Sequence, residues 1–160
     1  MITPEIAAFV HEQRLGFHAT VCADGTPNLS PKGTTAVFDS EHLMFAELRS
    51  PQTLANLEAN PAIEVNMVDP IVRKGWRFKG EAEIRRDPET RKRALAIYER
   101  EGYTVYPERI GAIVLIHVES VVELTSPAYD DGSSEQDVAA WWAERYTEQA
   151  RRWLERARRD

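Results

Sequence analysis

Arg49-Ser50-Pro51-Gln52-Thr53-Leu54-Ala55-Asn56-Leu57-Glu58-Ala59-Asn60-Pro61 lies between two strand-like runs, Leu43 to Leu48 and Ala62 to Val68. The stretch reads as a strand, a polar turn, one short helix and a stop before the next strand. Ser50 suits the N-cap, and Pro51 the first helical position, where a missing N–H costs nothing. Leu54 and Leu57 share a helix face, and Asn60-Pro61 ends the helix. A helix start carrying hydroxyls and an arginine offers free N–H groups and positive potential, which together hold a phosphate. An ordinary capped helix is the plainer reading of the same residues.

Working outward, the pattern is one of strands. Thr3-Pro4-Glu5 opens a short amphipathic helix with Ile6, Phe9 and Val10 on one face. Phe17 to Cys22 is a strand, Ala23-Asp24-Gly25-Thr26 a hairpin turn, and Asn28 to about Phe38 a second strand. His42 to Leu48 and Ile63 to Val68 are the third and fourth. Trp76 to Ile84 alternates at period two, the mark of a strand with one buried face. Asp87-Pro88-Glu89 starts a helix whose apolar residues are Ala94, Leu95, Ile97 and Tyr98. Ile110 to Leu124 is a long strand, apolar enough at Ala112–Ile116 to be covered on both faces. Small and polar residues at 126–134 lead to a last helix at about 135–158, with Val138, Trp141, Trp142, Tyr146 and Trp153 as an aromatic surface. Six mostly antiparallel strands with short helices inserted predict a mainly β fold with α decorations, closed as a small barrel. An open α+β sandwich is the other architecture.

Composition bounds the function. The 160 residues are 42% hydrophobic and 29% charged, which is globular. A net charge of −6 speaks against nucleic-acid binding. From Glu144 onward six arginines meet four acids, interleaved as on a solvated helix face. No apolar run reaches the length that spans a bilayer and no leader-like start is seen, so a cytoplasmic protein without a membrane partner is expected. The single cysteine, Cys22, excludes an internal disulfide and reads as a buried structural thiol. Four histidines, His11, His18, His42 and His117, stand singly without ligand spacing, so no metal site is expected. G-x-S-x-G, the P-loop and the dinucleotide glycine fingerprint are missing, and no side chain stands out as catalytic.

Three polar clusters remain. Ser30-Pro31-Lys32-Gly33-Thr34-Thr35 interrupts a strand with proline and glycine, which marks a bulge or a close ligand; a kinked edge strand with an exposed lysine is the alternative. The helix start supplies Arg49, Ser50, Gln52 and Thr53. Arg73-Lys74-Gly75-Trp76-Arg77 sets three cations together, which repel unless an anion or carboxylate lies between them; a bare solvated turn is the alternative. A phosphate attached to an aromatic heterocycle satisfies all three, and flavin mononucleotide (FMN) has that shape.

These residues, read in order, resemble the pyridoxamine-phosphate-oxidase-like, FMN-binding split-barrel proteins. The likeness is carried by Pro27-Asn28-Leu29-Ser30-Pro31-Lys32, Leu43-Met44-Phe45-Ala46, Ser50 to Leu57 with Asn60-Pro61, Val68-Asp69-Pro70, and Arg73 to Gly80 with Ala82, over about residues 5–124. It implies a six-stranded antiparallel split β-barrel over 1–125, forming a homodimer with FMN at the subunit seam. A linker and C-terminal helix at 126–160 would pack on the barrel or the dimer. By that likeness Ser30, Pro31, Lys32, Gly33 and Thr34 run beside the flavin ring. Arg49, Ser50 and Thr53, with Gln52 alongside, hold the phosphate, and Asn56 supports their helix. Arg73, Lys74, Gly75 and Trp76 close the site from the same chain or its partner. Two departures matter. Gln52-Thr53 stands where many members carry a lysine or arginine. The C-terminal tryptophan and arginine signature of vitamin B6 oxidases is missing, so that reaction is not expected. The implied function is an FMN-dependent oxidoreductase acting on a small molecule. A deazaflavin coenzyme or haem in the same fold, or a non-enzymatic binding dimer, are the alternatives.

Overall fold

A computed structural model of the chain describes residues 2–158. Seven strands form one sheet: β1 Gly16–Val21, β2 Pro27–Lys32, β3 Ala36–Val37, β4 His42–Glu47, β5 Ala62–Asp69, β6 Lys74–Arg85 and β7 Ala112–Thr125. Four α-helices accompany them: α1 Pro4–Gln13, α2 Pro51–Ala59, α3 Pro88–Arg100 and α4 Glu135–Ala157. The sheet order is β2-β1-β5-β6-β7-β4-β3, and the β1–β2, β1–β5, β3–β4 and β4–β7 pairs are antiparallel.

The expected second strand is in fact two, which is why seven strands replace six. β2 and β3 stand at opposite edges of the sheet, yet only Gly33, Thr34 and Thr35 separate them. Four Cα steps reach at most about 14 Å, whereas seven flat strands would spread about 29 Å. The sheet therefore curls until its edges nearly meet, and the result is a split barrel. Pro31 is accommodated because β2 is an edge strand, where a missing N–H breaks no ladder.

Alternation along β4 and β7 sorts two cores. Leu43, Phe45, Val114 and Ile116 face the barrel interior with Ile6 and Val10 of α1, Val65, Met67 and Phe78. Met44, Ala46, Ile113 and Leu115 face outward and are covered by Ala94, Ile97 and Tyr98 of α3. Both faces are thus dry over Leu43–Ala46 of β4 and Ala112–Ile116 of β7, which accounts for the unbroken apolar run there. The helix starts follow their caps: Thr3 Oγ1 accepts the Ile6 N–H at 3.3 Å, and Asp87 Oδ1 accepts the Thr90 N–H at 2.8 Å.

The chain divides into two compact units. The first holds the residues up to Met67 with Trp76–Val122; the second holds Val68–Gly75 with the residues from Glu123 on. In the second, α4 begins with a capping box between Ser134 and Asp137. Only Val138 of α4 is buried, and Trp141 and Trp153 are 65% and 59% exposed. No helix among the described residues is long and apolar enough to cross a membrane.

Candidate functional site

The turn between the two sheet edges is held by buried hydroxyls. The Tyr98 hydroxyl donates to the Thr34 carbonyl at 2.9 Å, and the Tyr103 hydroxyl donates to the Thr35 carbonyl at 2.6 Å. Thr34 Oγ1 accepts the Ala46 N–H at 3.1 Å and donates to the Ala46 carbonyl at 3.3 Å. Thr35 Oγ1 donates its one proton to the Lys32 carbonyl at 2.9 Å. The His18 nitrogen Nε2, also 2.9 Å from Thr35 Oγ1, must then be the donor of that bond. His18 is fully buried, and its other nitrogen, Nδ1, has no partner among the described residues. Burial, and secondarily the charge of Lys32, bring the His18 imidazole down to about 3, so it is neutral. Gly16 makes room for this arrangement, since a Cβ there would lie 2.6 Å from Thr35 Oγ1 and 2.9 Å from His18 Nε2.

Lys32, at the end of β2, is 7% exposed rather than solvated. Its Nζ donates to Ser30 Oγ at 2.7 Å and lies 5.4 Å from the centre of the Phe45 ring. No carboxylate of the described residues comes within ion-pair distance of it. Burial lowers the affinity of this amine for its proton, and the charge of Glu47 opposes that shift. Glu47, itself buried at the end of β4, accepts the Ser50 N–H at 2.6 Å. The Ser50 hydroxyl also turns to Glu47, at 3.4 Å, and does not cap α2 as the sequence suggests.

Behind its start, α2 is pinned to the barrel. Gln52 Nε2 donates to Asn56 Oδ1 at 2.8 Å, and Asn56 Nδ2 donates to Thr20 Oγ1 at 3.0 Å. Thr20 Oγ1 also accepts from Asn28 Nδ2 at 3.1 Å. Thr53 and Asn56 are buried, whereas Gln52 and Arg49 are exposed. Cys22 is half-buried, 3.5 Å from Asn56 Nδ2, so it is less enclosed than its apolar strand implies. The first turn leaves the N–H groups of Gln52 and Thr53 without an acceptor among the described residues; the Leu54 N–H reaches the Ser50 carbonyl. Glu47 thus holds the start of α2 while its charge acts on Lys32, and the Thr20 hydroxyl joins Asn56 of α2 to Asn28 of β2.

The third cluster divides. Arg77 pairs with Glu64 at 3.0 Å, and Trp76 packs half-buried against the barrel core. In the second unit, Arg73 takes a left-handed backbone, φ 59°, and its guanidinium lies 4.3 Å from the Trp142 ring centre. Lys74 Nζ donates to Glu135 Oε2 at 2.7 Å and sits 4.8 Å from the Tyr129 ring. Gly75 is buried. Each of the three cations has found a separate partner in the chain, and they share no common anion. His18, Glu47, Tyr98 and Tyr103 are the structural members that sequence reasoning missed; the proline-glycine interruption was their only local signal.

The family model for pyridoxamine 5'-phosphate oxidase matches residues 2–122, leaving α4 outside. Among solved structures, HupZ of Group A Streptococcus is 33% identical, with a TM-score of 0.68 over 79% of this chain and 96% of that one. A candidate pyridoxamine 5'-phosphate oxidase from Lactobacillus delbrueckii is 27% identical, with a TM-score of 0.62 over 75% and 92%. An F420 reductase shares the fold at 23% identity, with a TM-score of 0.60 over 76% and 98%. No curated protein matches the chain. By its matched span and its curled seven-stranded sheet, this chain belongs to the pyridoxamine 5'-phosphate oxidase family.

Proposed function

We propose that the chain binds FMN as a homodimer and acts as an oxidoreductase on a small molecule other than a vitamin B6 phosphate. The observation that supports this most is Lys32, a cation enclosed by protein with only a serine hydroxyl as its hydrogen-bond partner among the described residues. Enclosing an ammonium without a carboxylate is costly. The cost is sensible where an electron-rich, anionic ring edge completes the site. Ser30 and the turn residues Gly33 and Thr34 flank this amine. At the other end, Arg49 and the free N–H groups of Gln52 and Thr53 suit a phosphate.

When bound, FMN supplies the hydride and electron chemistry. This chain's residues bind, orient and polarise. Lys32 offers positive charge to the ring, Tyr98, Tyr103 and His18 hold its turn, and Arg49 selects the phosphorylated tail.

Titration of the purified protein with FMN tests the reading through visible absorbance and flavin fluorescence. The parent should take up one FMN per chain. Lys32→Met should bind at least about tenfold more weakly, and Arg49→Ala should lose its preference for FMN over riboflavin. A protein that ignores FMN but binds a deazaflavin coenzyme or haem overturns the cofactor assignment, and one that binds none of them is a non-enzymatic member of the fold. Light scattering showing a single protomer would remove the dimer.

A further inference from the structure

His42 of β4 and His117 of β7 stand directly opposite each other across the sheet. Their ring centres are 5.2 Å apart and the ring planes meet at 49°. The His117 side chain is exposed, and that of His42 keeps 30% of its surface open. Strands only one step apart therefore present two imidazoles to solvent on the same face.

Asp39 fixes one of them. Its Oδ1 lies 2.7 Å from His42 Nδ1. A carboxylate accepts and does not donate, so Nδ1 carries the proton, and in the neutral ring Nε2 keeps its lone pair. Oδ1 also accepts the Glu41 N–H at 3.0 Å, and Oδ2 lies 3.7 Å from Arg93. Burial pushes the Asp39 carboxyl up, but hydrogen bonds from Glu41 and His42 outweigh it and hold the group below the usual carboxylate range. A carboxylate on the far nitrogen of a histidine is the recurring support of metal-binding imidazoles. His117 is also held from behind: β6 passes so close that a Cβ on Gly80 would fall 1.8 Å from the His117 carbonyl oxygen.

The spacing agrees with a shared ion. A tetrahedral ion at about 2.0–2.1 Å from one nitrogen of each ring places the two ring centres about 5 Å apart. We propose that His42 and His117 form a two-imidazole site for a divalent transition-metal ion of the zinc, nickel or copper type, oriented by Asp39. Imidazole favours these ions over magnesium and calcium. Among the described residues no group of three or more His, Cys, Asp or Glu is placed to hold an ion together, so water or an outside ligand fills the remaining positions. Binding is accordingly exchangeable.

Untagged protein titrated with Zn2+ by calorimetry, and with Cu2+ by electron paramagnetic resonance, tests the site. One ion per chain is expected, with nitrogen couplings from two imidazoles. His42→Ala and His117→Ala should each weaken binding at least tenfold, Asp39→Asn by about tenfold, and His11→Ala not at all. His42→Gln and His117→Gln serve if an alanine variant fails to fold. The proposal is overturned if millimolar metal does not bind, if His11→Ala removes the binding, or if folded His42 and His117 variants bind as the parent does.

Discussion

The Tyr98 hydroxyl on α3 donates to the carbonyl of Thr34 at 2.9 Å, joining the outer helix to the turn that carries the chain from β2 to β3. Tyr98 is fully buried, so its removal as a donor cannot be replaced by water. Tyr98→Phe should cost about 1–3 kcal/mol, the penalty of an orphaned buried acceptor. Urea unfolding measures the loss, and faster amide exchange at Gly33–Ala36 would show that it is felt at the turn. An unchanged midpoint would mean that Thr34 is held by its other bonds alone.

Gly80→Ala should be among the most damaging single changes. The new methyl would meet the backbone of β7, not a side chain that can swing away. One strand must move, at about 3 kcal/mol or more. Soluble yield and denaturant midpoint report it, and a variant as stable as the parent would contradict the close approach of β6 to β7.

Acid should weaken the fold through His18. The folded imidazole protonates only near 3, whereas in the unfolded chain it does so near 6.5. Between those values the unfolded state holds a proton that the folded state does not. The stabilisation is therefore complete above about pH 6.5 and falls by about 1.4 kcal/mol for each unit below it. Urea unfolding at pH 7, 6 and 5 should show a steeper decline for the parent than for His18→Gln. Equal slopes would assign the acid sensitivity elsewhere.

Much of the fold was legible because its signals are local. Pro51 and Asn60-Pro61 bracket α2 to within a residue, Thr3 and Asp87 mark helix starts, and the alternation at Phe78–Ile84 gives the buried face of β6. The break at Gly33–Thr35 was not legible as a change of sheet edge, because Tyr98, Tyr103 and His18 that stabilise it lie far along the chain. The same distance hid the partners of Arg73, Lys74 and Arg77. Their repulsion calls for an anion or a carboxylate, and carboxylates of the chain, Glu135 and Glu64, meet Lys74 and Arg77, while the Trp142 ring meets Arg73. Lys32 stands out in the sequence as a lysine among small residues, yet its enclosure depends on Phe45 and the turn, which composition does not reveal.

In the second unit, Trp142→Ala should loosen the start of α4. It removes the ring beneath Arg73, a stacking worth about 0.5–2 kcal/mol. Faster amide exchange over the first two turns of α4 is the expected readout. Protection equal to the parent's would leave the Lys74–Glu135 pair and the capping box as sufficient anchors.

Because Gly33, Thr34 and Thr35 alone connect β2 to β3, the girth of the barrel is governed by the length of a three-residue tether. Five or six extra glycines between Thr34 and Thr35 would give slack where the chain now draws the rim together. The two outermost strands would then be free to part, baring rows of unpaired peptide groups that recruit a strand from another molecule.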